Sequence, residues 1–121
     1  MEYDIGEYLS YHRHKYIKEK GVINKKENEI KRLIPMIRDI LVKNGAKKII
    51  VFGSFAEKRL TKNSDLDIAE DGVPDHLFFK VYAALCDLGE NVEIDLIDIA
   101  ETKGFFRERM LKGEVIYNAK E

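Results

Sequence analysis

The chain has 121 residues, of which 45% are hydrophobic and 36% charged, and 21 Lys and Arg against 22 Asp and Glu give a net charge of −1. This length predicts a single domain that buries roughly two-thirds of its unfolded surface. The balanced charge excludes an acidic or basic disordered tail. It also argues against direct nucleic-acid binding, which requires a face dominated by Lys and Arg.

Cysteine content and hydropathy restrict the compartment. The single cysteine, Cys86, cannot form an internal disulfide or a multi-cysteine zinc site. The longest hydrophobic run, residues 81–86, is far shorter than the roughly 18 residues that span a bilayer, and residues 1–4 lack the pattern of a secretory signal. These features predict a cytoplasmic protein that does not bind membranes.

The N-terminal third is predicted to be helical. A polar, Tyr-rich helix is expected over residues 3–20 and is predicted to end at Gly21. A second helix is expected to start at the cap Asn24 and to end at residues 44–45, with Pro35 kinking or splitting it. Its apolar stripe consists of Ile30, Leu33, Ile34, Ile37, Ile40 and Leu41. The tyrosines of the first helix are expected to pack on the domain, with a partner surface as the alternative; they are Tyr3, Tyr8, Tyr11 and Tyr16.

After residue 47 the hydrophobic period alternates between strand and helix. Strands are predicted at residues 49–52, 65–68, 92–97 and 115–117, and helices at 55–60, 74–89 and 100–112. The order predicts an α/β (α+β) domain in which helices pack on one face of a small mixed sheet. We therefore expect one domain over residues 1–121, with an N-terminal helical part at 1–45 and a core at 47–117.

Two features of the core point to phosphate chemistry. Gly53 and Ser54 end the first strand. A glycine at this position allows close approach of a ligand, and free backbone amides attract phosphate oxygens. Such turns are also common as plain connections between elements. Asp65 and Asp67 project from one face of a strand, and repulsion between them favours a divalent cation bound by hard oxygen ligands.

A second acidic pair strengthens this interpretation. Glu93 and Asp95 share a face of a later strand, so neighbouring strands would gather three or four carboxylates beside the Gly-Ser turn. Each pair taken alone is more often just the solvated face of a strand. Together with a phosphate-binding turn, carboxylate-held metals are typical of phosphoryl and nucleotidyl transfer sites.

The remaining reactive side chains are assigned structural roles. Asp98 is expected to cap or turn, and Cys86 to fill the core. The three histidines, His12, His14 and His76, are expected to be solvated or structural and have no spacing typical of a metal site.

The combined motifs resemble a known family. Residues 51–56 (VFGSFA), residues 63–68 (NSDLDI), Asp95 within 92–97 and the ending 110–117 are similar to the minimal nucleotidyltransferase family of the DNA polymerase β-like superfamily. By this resemblance, Asp65, Asp67 and Asp95 would hold two Mg²⁺ ions, and Gly53 and Ser54 would bind the triphosphate of ATP. Asp95 would also accept a proton from the attacking hydroxyl.

The motif departs from the family at two positions. The family often continues with Arg-Gly where this chain has Glu57 and Lys58. The missing arginine removes a possible phosphate contact, for which Lys58, Arg59 or Lys62 is a candidate replacement. The missing glycine argues against a tight backbone turn.

Three functions are compatible with these motifs. The resemblance implies Mg-dependent transfer of AMP from ATP to a protein hydroxyl by the antitoxin of a pair with a HEPN-family toxin. The alternative is a weakly active or inactive binding module that neutralises its partner by complex formation, which the Glu57-Lys58 departure favours slightly. A more remote third is transfer to a small molecule such as an aminoglycoside, which normally requires additional substrate-binding structure.

Overall fold

A four-stranded mixed sheet forms the centre of the protein in a computed structural model that describes residues 5–89 and 91–120. The strands are β1 (Lys48–Phe52), β2 (Leu66–Asp71), β3 (Ile94–Asp98) and β4 (Glu114–Asn118), in the spatial order β3-β2-β1-β4. β1 pairs antiparallel with β2 and β4, whereas β2 and β3 are parallel. The α+β fold predicted from the sequence is confirmed.

Helix α1 (Ile5–Lys43) is continuous, so the prediction of two helices divided at Gly21 is wrong. A glycine inside a helix costs only about 1 kcal/mol, which the surrounding good helix formers can offset. Asn24 therefore lies inside the helix rather than at its cap. Pro35 does not split it either, because buried residues anchor the helix on both sides of the proline, including Leu33 before it and Ile37 after it.

The main core lies between one face of the sheet and the helices α1 and α2 (Asp75–Leu88). Its buried α1 residues begin at Ile30, and the preceding part of the helix is largely exposed. The prediction that the N-terminal tyrosines pack on the domain is wrong for Tyr11 and Tyr16, which are 65% and 64% exposed. Tyr3 and the side chain of Tyr8 lie outside the described residues.

A second, smaller core lies on the opposite face, beneath helix α3 (Gly104–Leu111). Its buried members are Ile50, Phe52, Ala69, Ile99 and Met110. The expectation that helices cover one face therefore holds for α1 and α2 but not for α3, because the residues of β1 are apolar on both faces.

The predicted helix at residues 100–112 is interrupted. A short 3-10 helix (Ile99–Glu101) precedes α3, and Asp98 caps it as predicted, with Oδ1 accepting a hydrogen bond from the Ala100 amide at 3.0 Å. Arg107 of α3 links the two helices, because its Nη1 donates hydrogen bonds to the carbonyl oxygens of Ile99 at 3.2 Å and Thr102 at 3.3 Å. This junction fixes the direction in which α3 crosses the sheet.

Cys86 is exposed on α2, so its prediction as a core residue is wrong. Leu85 is the buried residue at this level of the helix, and the next position turns about 100° away from the core. Among residues 5–89 and 91–120, no helix combines the length and apolar character needed to cross a membrane.

Glu70 is a fully buried carboxyl group on β2. The amide of Val73 donates to its Oε2 at 3.0 Å, whereas Oε1 has no hydrogen-bond partner among the described residues. Burial, with smaller contributions from the nearby charges of Asp98, Asp71 and Asp75, raises the pKa of Glu70 from 4.5 to about 7. The protonated form is therefore the one that the fold accommodates.

We expect Glu70→Gln to stabilise the protein at alkaline pH. The folded-state pKa of Glu70 lies above the unfolded value of 4.5, so its favourable contribution is complete below pH 4.5 and is lost as pH rises through about 7. The free energy of unfolding of the variant should exceed that of the parent by on the order of 3 kcal/mol at pH 8. This advantage should shrink toward pH 5. Urea unfolding at both pH values measures it, and a pH-independent difference would contradict the assignment.

Candidate active site

The two parallel strands bring two carboxylates together. Asp67 of β2 is the register partner of Asp95 on β3, so the predicted convergence of these side chains occurs. They share the sheet face of Ala69 and Ile97, which belong to or pack against the smaller core. Asp65 is half-buried just before β2 and Glu93 is exposed outside β3, and neither of them lines the cavity described below.

Asp67 is electrostatically unfavourable in its ionised form. Its pKa is raised from 3.8 to about 6, first by burial and then by the neighbouring charges of Asp95 and Asp65. The Arg109 guanidinium acts in the opposite direction and lowers the pKa of Asp67. A site of this kind favours a cation that would offset the repulsion.

Gly53 forms the floor beside these carboxylates. Its φ of 77° lies in the left-handed region, which glycine adopts without a steric penalty. A Cβ at this position would also collide with Oδ2 of Asp67. Backbone conformation and the position of the Asp67 carboxylate therefore both favour glycine between β1 and the acidic pair.

The segment after Gly53 is a series of turns, so the predicted helix at residues 55–60 is wrong. The Glu57 amide donates to the Gly53 carbonyl at 3.0 Å, and the Arg59 amide donates to the Ser54 carbonyl at 2.8 Å. Lys58 has a φ of 59°, a left-handed conformation that stops helical continuation. The tight bend thus persists at a position where the sequence motif led us to expect glycine.

A cavity of about 330 Å³ opens over the carboxylates. It is lined by Phe52, Gly53, Ser54, Arg59, Asp67, Asp95, Ile97, Phe106, Arg109 and Met110. The contribution of α3, namely Phe106, Arg109 and Met110, is absent from the sequence prediction. The sequence indicates a helix in this region but not which face of the sheet it covers.

Two arginines at the cavity share one carboxylate oxygen. Oε2 of Glu57 accepts a hydrogen bond from Nη2 of Arg59 and another, at 3.3 Å, from Nη2 of Arg109. Of the three cations considered as replacements for the missing motif arginine, only Arg59 lines the cavity. Lys62 instead forms an ion pair with Glu19 on α1, with 3.7 Å between Nζ and Oε1.

Tyr82 is a further residue at the site that sequence reasoning missed. Its hydroxyl donates to Oδ1 of Asp95 at 2.8 Å from helix α2. This hydrogen bond is the main cause of the raised pKa of Tyr82. The phenol therefore fixes the orientation of the Asp95 carboxylate at the sheet edge, a contact that an apolar helix stripe gives no reason to expect.

The carboxylates fit a divalent cation in donor type. Asp67 and Asp95 offer hard oxygen ligands to one cavity, and the charge of Asp65 acts on Asp67. In the part of the chain that the structure describes, no three His, Cys, Asp or Glu side chains are already grouped as a metal site.

A family model and a relative with a known name match this chain. The family model described as polymerase beta, nucleotidyltransferase matches residues 36–121. A protein of Methanocaldococcus jannaschii named "putative protein adenylyltransferase" is 32% identical over 94 residues, which cover 74% of this chain and 95% of that protein.

Solved structures share the fold. One described as a "putative minimal nucleotidyltransferase" has a TM-score of 0.62 at 22% identity, covering 74% of this chain and 93% of that one. A toxin-antitoxin structure with AMP-PNP has a TM-score of 0.57 at 19% identity, covering 76% and 73%. A mutant MntA-HpeT toxin-antitoxin structure has a TM-score of 0.57 at 18% identity, covering 69% and 71%.

We expect Lys58→Gly to stabilise the protein, because it removes the steric cost of a side chain at a φ of 59°. The gain in the free energy of unfolding should be about 1 kcal/mol, reduced somewhat by the flexibility of glycine in the unfolded chain. Lys25→Gly, inside α1, is the matched control and should lose about 1 kcal/mol. Chemical denaturation measures both, and destabilisation by Lys58→Gly would contradict the strained turn.

Proposed function

Because the chain belongs to the polymerase beta nucleotidyltransferase family, we propose that it transfers AMP from ATP to a hydroxyl group of a protein in a Mg²⁺-dependent reaction. The observation that carries this proposal is the register pairing of Asp67 with Asp95 at a cavity that Gly53 also lines. In this arrangement the acidic pair would bind the metal ion, and the glycine bend would bind the phosphate groups.

The donor nucleotide would place its triphosphate against Gly53 and Ser54. Gly53 and Ser54 line the same cavity as Asp67 and Asp95, so a triphosphate on this turn would lie beside the proposed metal ligands. Asp65, Asp67 and Asp95 would hold two Mg²⁺ ions. When bound, these ions supply charge neutralisation for the departing pyrophosphate and activation of the attacking hydroxyl.

In this reaction the acceptor oxygen attacks the α-phosphorus of ATP. The bond from that phosphorus to the bridging oxygen breaks, and pyrophosphate leaves with the electron pair. We assign acceptance of the hydroxyl proton to the Asp95 carboxylate, whose Oδ1 accepts a hydrogen bond from Tyr82 at 2.8 Å. Tyr82 thus positions the base without touching the reacting atoms.

A protein acceptor suits a cavity formed by one small domain. The name of the M. jannaschii relative supports protein adenylylation, and the toxin-antitoxin structures support a toxin as the partner. We propose that the acceptor belongs to a HEPN-family toxin and that the protein acts as its antitoxin. The proposed compartment is the cytoplasm, where ATP is supplied.

One observation favours a second candidate, an inactive module that neutralises the toxin by binding alone. Glu57 holds both Arg59 and Arg109, which line the cavity, and so occupies cations that a phosphate chain would require. Complex formation without AMP transfer would distinguish this function from catalysis.

We expect Asp67→Asn to abolish AMP transfer without unfolding the protein. The substitution removes a proposed metal ligand, so transfer of labelled AMP from ATP to the partner should fall on the order of 100-fold or more. It also removes a charge that burial and Asp95 make unfavourable, so the melting temperature without metal at pH 8 should rise.

Asp39→Asn, on an exposed part of α1, is the control and should transfer AMP at the parental rate. Parental transfer by Asp67→Asn would refute the metal assignment. If the parent instead forms a stable complex with its partner and adds no AMP mass to it at every Mg²⁺ concentration tested, the protein is the binding module.

We expect Tyr82→Phe to lower kcat about tenfold with little change in KM for ATP, because outer partners orient ligands rather than bind substrate. It should also raise the Mg²⁺ concentration at half-maximal rate. Rates measured over ATP and Mg²⁺ titrations test this split. Tyr16→Phe, an exposed hydroxyl on α1, is the control. An unchanged kcat and Mg²⁺ requirement would show that Tyr82 has no positioning role.

A further inference from the structure

Glu57, Arg59 and Arg109 form an exposed charge cluster at the mouth of the cavity. We propose that Arg59 and Arg109 bind the phosphate chain of the donor nucleotide, and that Glu57 competes with that chain for the two guanidinium groups. This inference rests on the proposed function, since it concerns the nucleotide of the same site. It identifies Glu57 as a residue that weakens nucleotide affinity.

The position of Arg109 between two adjoining cavities is the first argument. Arg109 lines the acidic cavity together with Asp67 and also a neighbouring cavity of about 250 Å³. The second cavity is also lined by the cation Lys112 and by the carboxylates Glu57 and Glu114. A polyanion leaving the acidic pair would therefore pass Arg109 first, and the carboxylates beyond it oppose its further approach.

The second argument is that the cluster can exchange partners. Both arginines contact the same Oε2 atom, and the side chains are 40% exposed at Glu57, 62% at Arg59 and 66% at Arg109. Water screens ion pairs that are this exposed, so they hold weakly. A phosphate chain presents several charged oxygens to the planar donors of arginine and is the stronger partner.

The third argument concerns repulsion. The Arg59 guanidinium beside Glu57 holds the pKa of that carboxyl below its usual range, so Glu57 is charged at neutral pH. Phosphates that approach Arg109 also approach this carboxylate. Binding therefore has to overcome this repulsion and to compete with Glu57 for the guanidinium donors, and both effects lower affinity.

The fourth argument is the source of the cations. Glu57 occupies the position where the sequence motif often has arginine, and Arg109 is 52 residues further along the chain. α3 thus delivers a guanidinium to the cavity that Arg59 also lines. Glu57 forms an ion pair with this distant arginine at 3.3 Å, so the carboxylate acts on cations from two separate segments of the chain.

Calorimetric titration of the full chain with AMP-PNP and Mg²⁺ tests the proposal. Glu57→Gln should lower Kd about fivefold, and Arg109→Gln should raise it about tenfold. In the double variant, the effect of Glu57→Gln should shrink because one of the two competed cations is gone. Glu29→Gln and Arg32→Gln, which break a comparable pair on α1 outside both cavities, should leave Kd unchanged.

An unchanged or weaker affinity of a folded Glu57→Gln variant would overturn the competition, and so would a failure of both the parent and this variant to bind AMP-PNP. Melting temperatures confirm that each variant is folded. The proposed function fails separately if AMP-PNP binds with the expected changes but no AMP is transferred to the partner. Conversely, AMP transfer with an unchanged Kd in Glu57→Gln refutes only this inference.

Discussion

Parallel pairing of β2 with β3 is the constraint on which the site depends, because it places Asp67 next to Asp95. The same strands bury Leu66, Ile68, Ile94 and Leu96 on their other face, and each such side chain contributes roughly 2 kcal/mol. Alternation along a strand makes these two outcomes inseparable: the register that fills the main core also crowds the carboxylates. Core burial therefore supplies the free energy that holds a repulsive acidic pair in place, ready for a cation.

The sequence predicts those parts of the fold that local patterns determine. Alternation predicts the strands that carry Asp67 and Asp95, and a change to helical period predicts α2 and its proline start. The errors arise where neighbouring residues or tertiary packing override a local signal. Gly21 and Pro35 are helix-breaking residues, yet α1 continues through both. Good helix formers offset the cost of Gly21, and buried residues on both sides of Pro35 hold the helix to the core. A positive φ at Lys58 likewise preserves a bend that lacks its expected glycine.

Side-chain contacts between distant elements are less predictable than the elements themselves. The hydrogen bond from Tyr82 to Asp95 joins a helix facing the main core with a carboxylate of the opposite face, and no spacing rule connects them. Arg109 reaches the cavity because α3 crosses the second face of the sheet. There α3 covers apolar residues of β1, including Ile50 and Phe52. A sequence motif specifies which atoms the chemistry needs, whereas packing decides which additional side chains surround them.

The Glu57-Lys58 departure illustrates why a motif substitution has to be judged by charge in space rather than by position in the chain. The departure in isolation removes an arginine and adds a carboxylate beside a phosphate site. In the folded protein, the cavity still has two guanidinium groups, and Glu57 lies between them. The cavity therefore keeps its positive charge, but Glu57 forms ion pairs with both arginines. The substitution argues for controlled nucleotide affinity more strongly than for lost catalysis. Asp67 and Asp95 repel each other and so cost folding free energy, an arrangement typical of a site that uses these carboxylates.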